Sequence, residues 1–289
     1  MALVGLLLEL QRLHHWPLQL WHGDHGWHPG SAAIAMELQA WCIQRGLELQ
    51  IDRAPRDLAR TEEAARRWRY DALGQAAHRC NADGVTGHTA SDRSETLLLQ
   101  LARGTDLAGL AALRPVRSLS PSGPLLRRPL LGFSRSNTAA ICRQLALPVW
   151  EDPSNQSLVF ARNRIRAEVL PVLEDLHPGC SQRMAEQAER LTQVRDTQDE
   201  LSNLVLEQLQ TSGGLNRRRL GQLSAPTRRQ SLALWCRQQG VPGLDARQLD
   251  QLSHRLRSGA AAGSCDLSAG WQLHWRGEVI SLQPPAAAH

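Results

Sequence analysis

Lysine is absent from the 289 residues, so all 33 basic side chains are arginine. That excludes mechanisms built on an enzyme lysine, such as a Schiff base or the lysine-bearing phosphate loop. Aromatics other than tryptophan are scarce: one tyrosine and two phenylalanines against nine tryptophans. No run approaches the roughly 20 apolar residues of a helical membrane span, which excludes an integral membrane protein. The opening MALVGLLLEL lacks a basic flank and a small-residue cleavage site and carries Glu9, so it reads as an amphipathic helix, not a signal peptide. The six cysteines (Cys42, Cys80, Cys142, Cys180, Cys236, Cys265) include no CxxC pair. Their scatter suits a reducing cytoplasm and argues against structural zinc and paired-cysteine sulfur transfer.

What is present supports folded, soluble structure. The length suits two medium domains, and 42% hydrophobic residues can bury a core. The net charge of +5 is carried entirely by guanidinium, whose planar fork pairs bidentately with phosphate; polyanionic partners are favoured.

Hydrophobic periodicity alternates between strand and helix. Residues 2–13, 31–46, 61–80 and 91–102 read as helices, and 18–24, 47–52 and 84–89 as strands. Within 31–46 a serine marks the start and a glycine the stop. This order predicts an α/β fold with a doubly wound, mostly parallel sheet. Ligands then sit beyond the carboxyl ends of the strands, where His22, Asp24, His25, His88 and Asp92 fall. Residues 114–124 read as a Pro/Ser-rich loop, and 135–147, 160–173 and 181–210 as helices. A small α+β unit of two helices and a strand pair closes the chain over 215–283. The domain boundary is expected near residue 200, giving domains 1–200 and 201–289.

Three constellations carry chemistry. HGDHGWH (22–28) fits a metal site, the polar edge of a nucleotide pocket, or a solvated loop. In GHTASDRSET (87–96), Gly87 turns the backbone out of the strand and His88 lies at the tip. Asp92 and Glu95 follow in the first helical turn, where acids also simply complement the helix dipole. Joined to the Gly-punctuated RGTDLAGLAALRP (103–115), with Arg103 and Arg114, this segment reads as a phosphate site with a place for Mg²⁺. In DPSNQSLVFARNRIR (152–166), Asp152, Ser154 and Asn155 build a turn, and Arg162 and Arg166 share a helix face that Arg164 does not. That face is either solvated or set against an RNA backbone.

Taken in order, these segments resemble the tRNA(Ile)-lysidine synthases, a family of the PP-loop ATP pyrophosphatase superfamily. HGDHGWHPGS, TEEAARRWRYDAL, GHTASDRSETLLLQLARGTDLAGLAALRP, RRPLLGFSR and the DPSN–RNRIR run carry the resemblance over most of 1–180. Residues 215–283 resemble, more weakly, the family's small substrate domain. The resemblance implies ATP-dependent ligation of free lysine to the wobble cytidine of tRNA(Ile) through an adenylated intermediate. It places His88, Asp92 and Arg103 in catalysis, with Asp92 near Mg²⁺. His22, Asp24, His25, Gly87, Gly104 and Thr105 would hold the nucleotide. Glu95, Asp106, Arg114, Asn155, Arg162, Arg164 and Arg166 would meet lysine or tRNA. It implies a cytoplasmic protein with no membrane partner, and a homodimer is one arrangement left open.

The sequence departs from the family pattern in three places. Ser91–Asp92 stands where the family has two aspartates, and Arg93 where it has glutamine. The family's SGGxDS loop and the strand before it do not occur in the sequence, and the first helix begins without a cap. The expectation is that the working protein carries that loop upstream of Met1. A tRNA-binding remnant without catalysis, or a metallohydrolase using His22, Asp24, His25 and His88, are the other classes considered.

Overall fold

Helix and strand alternate through the first half of the chain: α1 (Ala2–His14), β1 (Leu20–Asp24), α2 (Ser31–Gln44), β2 (Leu49–Arg53), α3 (Glu62–Arg79), β3 (Gly84–Val85) and α4 (Ala90–Ala102). The computed structural model describes residues 1–27, 30–59, 61–111, 113–150, 157–257 and 261–285. The α3 helix starts where the Thr61 hydroxyl accepts the Ala64 N–H, with Glu62 and Glu63 in its first turn. The expected serine cap of α2 is not used: Ser31 is already helical, and Gly30 occupies the cap position.

β1 and β2 pair in parallel, Leu20 opposite Leu49 through Asp24 opposite Arg53. β3 is only two residues long, shorter than the expected 84–89. The Thr86 N–H still reaches the Arg127 carbonyl at 2.9 Å, but the Thr86 hydroxyl then turns to the His88 ring and Thr89 to the cap of α4. A short helix, α5 (Leu107–Leu110), lies within the Gly-punctuated segment. β4 (Val116–Ser118) runs through the stretch expected to be loop and pairs antiparallel with β5 (Leu125–Arg127), which pairs parallel with β3. In this half of the chain the described strands form two ladders, β1–β2 and β3–β5–β4, parallel except at β4–β5. α3 packs on both β1 and β3.

Next comes α6 (Arg135–Gln144), whose Ser134 and Asn137 cap each other. The basic helix expected over 160–173 is three pieces: α7 (Ala161–Arg164), a π turn (Ile165–Val169) and α8 (Leu170–Leu176). Pro171 has no N–H to donate to the preceding turn, and the wider π turn accommodates that missing bond.

The chain divides into two compact units, Met1–Gln193 and Val194–His289, the break falling inside α9 (Cys180–Leu209). The second unit contains β6 (Gln210–Thr211), β7 (Gly214–Asn216), α10 (Arg217–Gln222), α11 (Ala225–Gln238), α12 (Ala246–Arg255), β8 (Gly263–Asp266), β9 (Gln272–Arg276) and β10 (Val279–Gln283). The expectation of two helices and one strand pair was too small. Three helices cover a five-stranded antiparallel sheet in the order β6–β7–β10–β9–β8. Its outer strands are too short for a period of two to be read. Leu206, Leu209, Leu215, Leu232, Trp235, Leu252, Leu273 and Ile280 form its core.

Candidate active site

The turn between β3 and α4 and the first turn of α4 build the centre of the site. Asp92 closes a capping box: the Thr89 amide and hydroxyl each donate to its Oδ2 at 2.8 Å. Its Oδ1 lies 3.6 Å from both Arg135 and Arg162. Burial alone would raise this carboxyl; the Thr89 bonds and the Arg162 charge outweigh it and leave the pKa lowered. His88 sits beside it, its Nδ1 2.9 Å from the Thr86 hydroxyl. Burial pushes the His88 imidazole down to about 4, aided by Arg128, Arg162 and Arg66 and opposed by Asp92. The ring is therefore neutral at pH 7.

Three residues further along α4, Glu95 is fully buried and receives the basic helix. Arg166 donates to both its oxygens, at 2.7 and 2.9 Å, and Arg162 Nε to Oε2 at 2.9 Å. The i, i+4 face expected for Arg162 and Arg166 exists, and it points inward at a carboxylate. Arg164 lies off that face, exposed, paired with Glu168 at 2.9 Å. Arg135 approaches the same cluster, 3.6 Å from Glu95. Its segment is among those that carry the family resemblance, but nothing local signals that Arg135 itself reaches α4. At Ser91, where the family has an aspartate, the hydroxyl accepts the Arg135 N–H at 3.3 Å. Arg93, the second departure, is buried and salt-bridged to Glu189 on α9.

At the end of β1, Asp24 is buried and its Oδ1 accepts the Gly26 N–H at 2.8 Å, while Arg53 lies 3.6 Å from Oδ2. His22 stands on β1, opposite Ile51. The His25 ring lies 4.8 Å from Trp27, which stacks on Phe160 at 6.1 Å. Among the described residues, no three His, Cys, Asp or Glu side chains gather as a metal ion requires. His28, Asp152, Ser154 and Asn155 lie outside the described residues.

The other expected residues stand elsewhere. Arg103 caps the far end of α4, about 16 Å along the axis from Asp92 at 1.5 Å per residue. Gly104, at φ 67°, turns the chain there, and the Thr105 N–H closes back on Gln100 at 3.3 Å. Asp106 caps α5 through the Gly109 N–H at 3.1 Å. Arg103, Gly104, Thr105 and Asp106 thus serve a helix end and are not gathered with His88. Gly87 is not in the left-handed region, and an added Cβ would meet only ordinary contact, so the expected need for glycine there is not found. Arg114 belongs to a separate arginine-lined cavity.

These features define a class. Residues 1–173 match a PP-loop domain, and residues 215–279 match a TilS substrate binding domain. The fold is that of a solved PP-loop-type relative, the U34-tRNA thiolase NcsA from Methanococcus maripaludis. Its TM-score is 0.54 at 17% identity, covering 66% of this chain and 67% of that chain.

Within that class the likeness narrows. The chain is 66% identical to a tRNA(Ile)-lysidine synthase of Parasynechococcus marenigrum (strain WH8102), covering all of this chain and 87% of the relative. It is 42% identical to a tRNA(Ile)-lysidine synthase of Prochlorococcus marinus, covering 98% of this chain and 86% of the relative. This chain belongs to the tRNA(Ile)-lysidine synthase family.

Proposed function

We propose that the protein ligates free lysine to the wobble cytidine of tRNA(Ile), consuming ATP and forming lysidine. One observation carries the reading: a PP-loop domain and a TilS substrate binding domain lie in one chain that aligns throughout with lysidine synthases. In the first step the cytidine C2 oxygen attacks the α-phosphorus, the α–β phosphoanhydride bond breaks and pyrophosphate leaves. In the second, the lysine amine attacks C2, the C2–O bond breaks, AMP leaves and the nitrogen gives up a proton. Adenylation is needed because an amide-like oxygen is a poor leaving group until esterified.

The chain's part is positioning and charge. ATP would meet the strand ends that carry His22, Asp24, His25 and His88. His88 offers a neutral hydrogen-bonding ring and adds no charge. Arg135 and Arg162 would face the negative charge that develops during adenyl transfer. Glu95, spent on Arg162 and Arg166, positions those two arginines; it is not open to receive lysine. Asp92 Oδ1 already faces Arg135 and Arg162, each 3.6 Å away. Exposed Arg164 and Arg103 are assigned to tRNA.

Asp92 does not fit Mg²⁺. One oxygen is taken by Thr89, the other faces two guanidiniums, and the neighbouring position is Ser91. No step is routed through the ion at this residue.

The test is to incubate protein purified from its own cells with unmodified tRNA(Ile), labelled lysine and ATP. The expected result is ATP-dependent label in the tRNA with matching release of AMP and pyrophosphate. Folded protein that gives no labelled tRNA overturns the reading.

A further inference from the structure

Tyr70, the single tyrosine, is held by three guanidiniums. Arg117 lies 4.4 Å and Arg66 5.1 Å from the ring centre. Arg128 donates to the phenol oxygen at 3.3 Å and to the Arg114 carbonyl at 2.7 Å. With Arg67, these side chains line a cavity of about 380 Å³. Glu63 is the only acid among the described lining residues, and Arg67 pairs with it at 3.2 Å.

Arg128 is the telling member. It is 3% exposed, its hydrogen bonds go to a carbonyl and a phenol, and its Nε has no partner among the described groups. A buried cation without a counter-charge is costly, so the cavity is built for an anion. Burial would raise the Tyr70 phenol, but Arg66, Arg128 and Arg117 more than offset that and leave it lowered. The ring is already engaged by guanidiniums, so it holds them in place and is no stacking platform for a base. Arg66 and Arg117 stand exposed at the rim, as an extended polyanion requires. Arg128 follows Arg127, whose carbonyl accepts the Thr86 N–H at 2.9 Å, and the Thr86 hydroxyl lies 2.9 Å from the His88 ring, so the cavity adjoins the candidate active site.

We infer that the Tyr70-centred cavity binds backbone phosphates of the RNA substrate next to the reacting nucleotide. This rests on the proposed function and names a hold on tRNA that the domain matches do not assign. The same phosphate chemistry is offered by pyrophosphate or the ATP triphosphate, and the experiment separates these sources.

The double variant Arg66→Gln/Arg117→Gln changes exposed side chains and is compared with the unsubstituted chain and with Arg79→Gln at the far end of α3. Affinities for tRNA(Ile) are measured across a salt series, and affinities for ATP and pyrophosphate by calorimetry. The expected result is tRNA binding weaker by about tenfold or more, with the slope of log K against log salt shallower by about 0.7 for each phosphate no longer neutralised. Arg79→Gln and the nucleotide affinities stay unchanged. Loss of pyrophosphate or ATP binding with tRNA binding intact overturns the assignment to RNA. An equal effect from Arg79→Gln also overturns it, since the charge would then act without a site. If the unsubstituted chain binds tRNA and the double variant binds it equally, this inference alone fails. If the unsubstituted chain does not bind tRNA, the proposed function fails with it.

Discussion

Glu95 holds two arginines through three hydrogen bonds while itself fully buried. Removing a buried partner leaves uncompensated charge, which costs far more than the pair contributes. Glu95→Ala is expected to destabilise the first unit by about 3–5 kcal/mol in urea unfolding, with Glu95→Gln less damaging. His88 makes a pH prediction. Its pKa falls from 6.5 to about 4 on folding, so below pH 6.5 the unfolded chain takes up a proton that the folded chain refuses. Stability is unaffected by this group above that pH and falls as pH drops from 6.5 toward 4. His88→Asn should flatten this part of the stability–pH curve, and NMR titration of the ring should find it neutral at pH 6.

At the scale of elements, two contacts join segments distant in sequence. Arg93 on α4 is buried against Glu189 on α9. Arg93→Gln, the residue typical of the family, removes the buried charge, whereas Glu189→Ala strands it. Glu189→Ala is therefore expected to lower the unfolding free energy more than Arg93→Gln, by about 1–2 kcal/mol in urea unfolding because Glu189 is 37% exposed and partly screened. In the second unit, Gly214 has φ 138° and lies close under the Ile280 carbonyl of β10. A methyl group there has no room. Gly214→Ala is expected to cost more than about 1 kcal/mol, seen as a lower melting temperature of the Val194–His289 unit.

On the scale of the whole molecule, the TilS domain match and the compact unit do not start at the same residue. The match begins at residue 215, while the unit begins at Val194. Leu206 and Leu209, on the last turns of α9, are 1% and 3% exposed in that unit's core. A fragment spanning 194–289 is therefore expected to unfold cooperatively in a thermal melt. One spanning 215–289 loses two buried leucines, each worth about 2–5 kcal/mol, and is expected to show no cooperative transition.

Periodicity and caps are local signals, so α1, α3, α4 and the strands around His22 were legible in the residue order alone. So were the shared face of Arg162 and Arg166 and the acids opening α4. The short strands β4, β6, β7 and β8 were not, because two to four residues cannot display an alternation. Nor could the sequence say that Arg162 and Arg166 turn inward, since a helix face has no direction until something packs on it. By itself, then, the sequence determined the order of elements and which residue types stand at the strand ends, both set by backbone and side-chain period. Only the tertiary structure decided that Arg135 reaches Asp92 and Glu95, that Arg162 and Arg166 close on Glu95, and that a buried arginine faces a cavity. Those outcomes depend on contacts between segments about 40 to 70 residues apart, which no local pattern encodes.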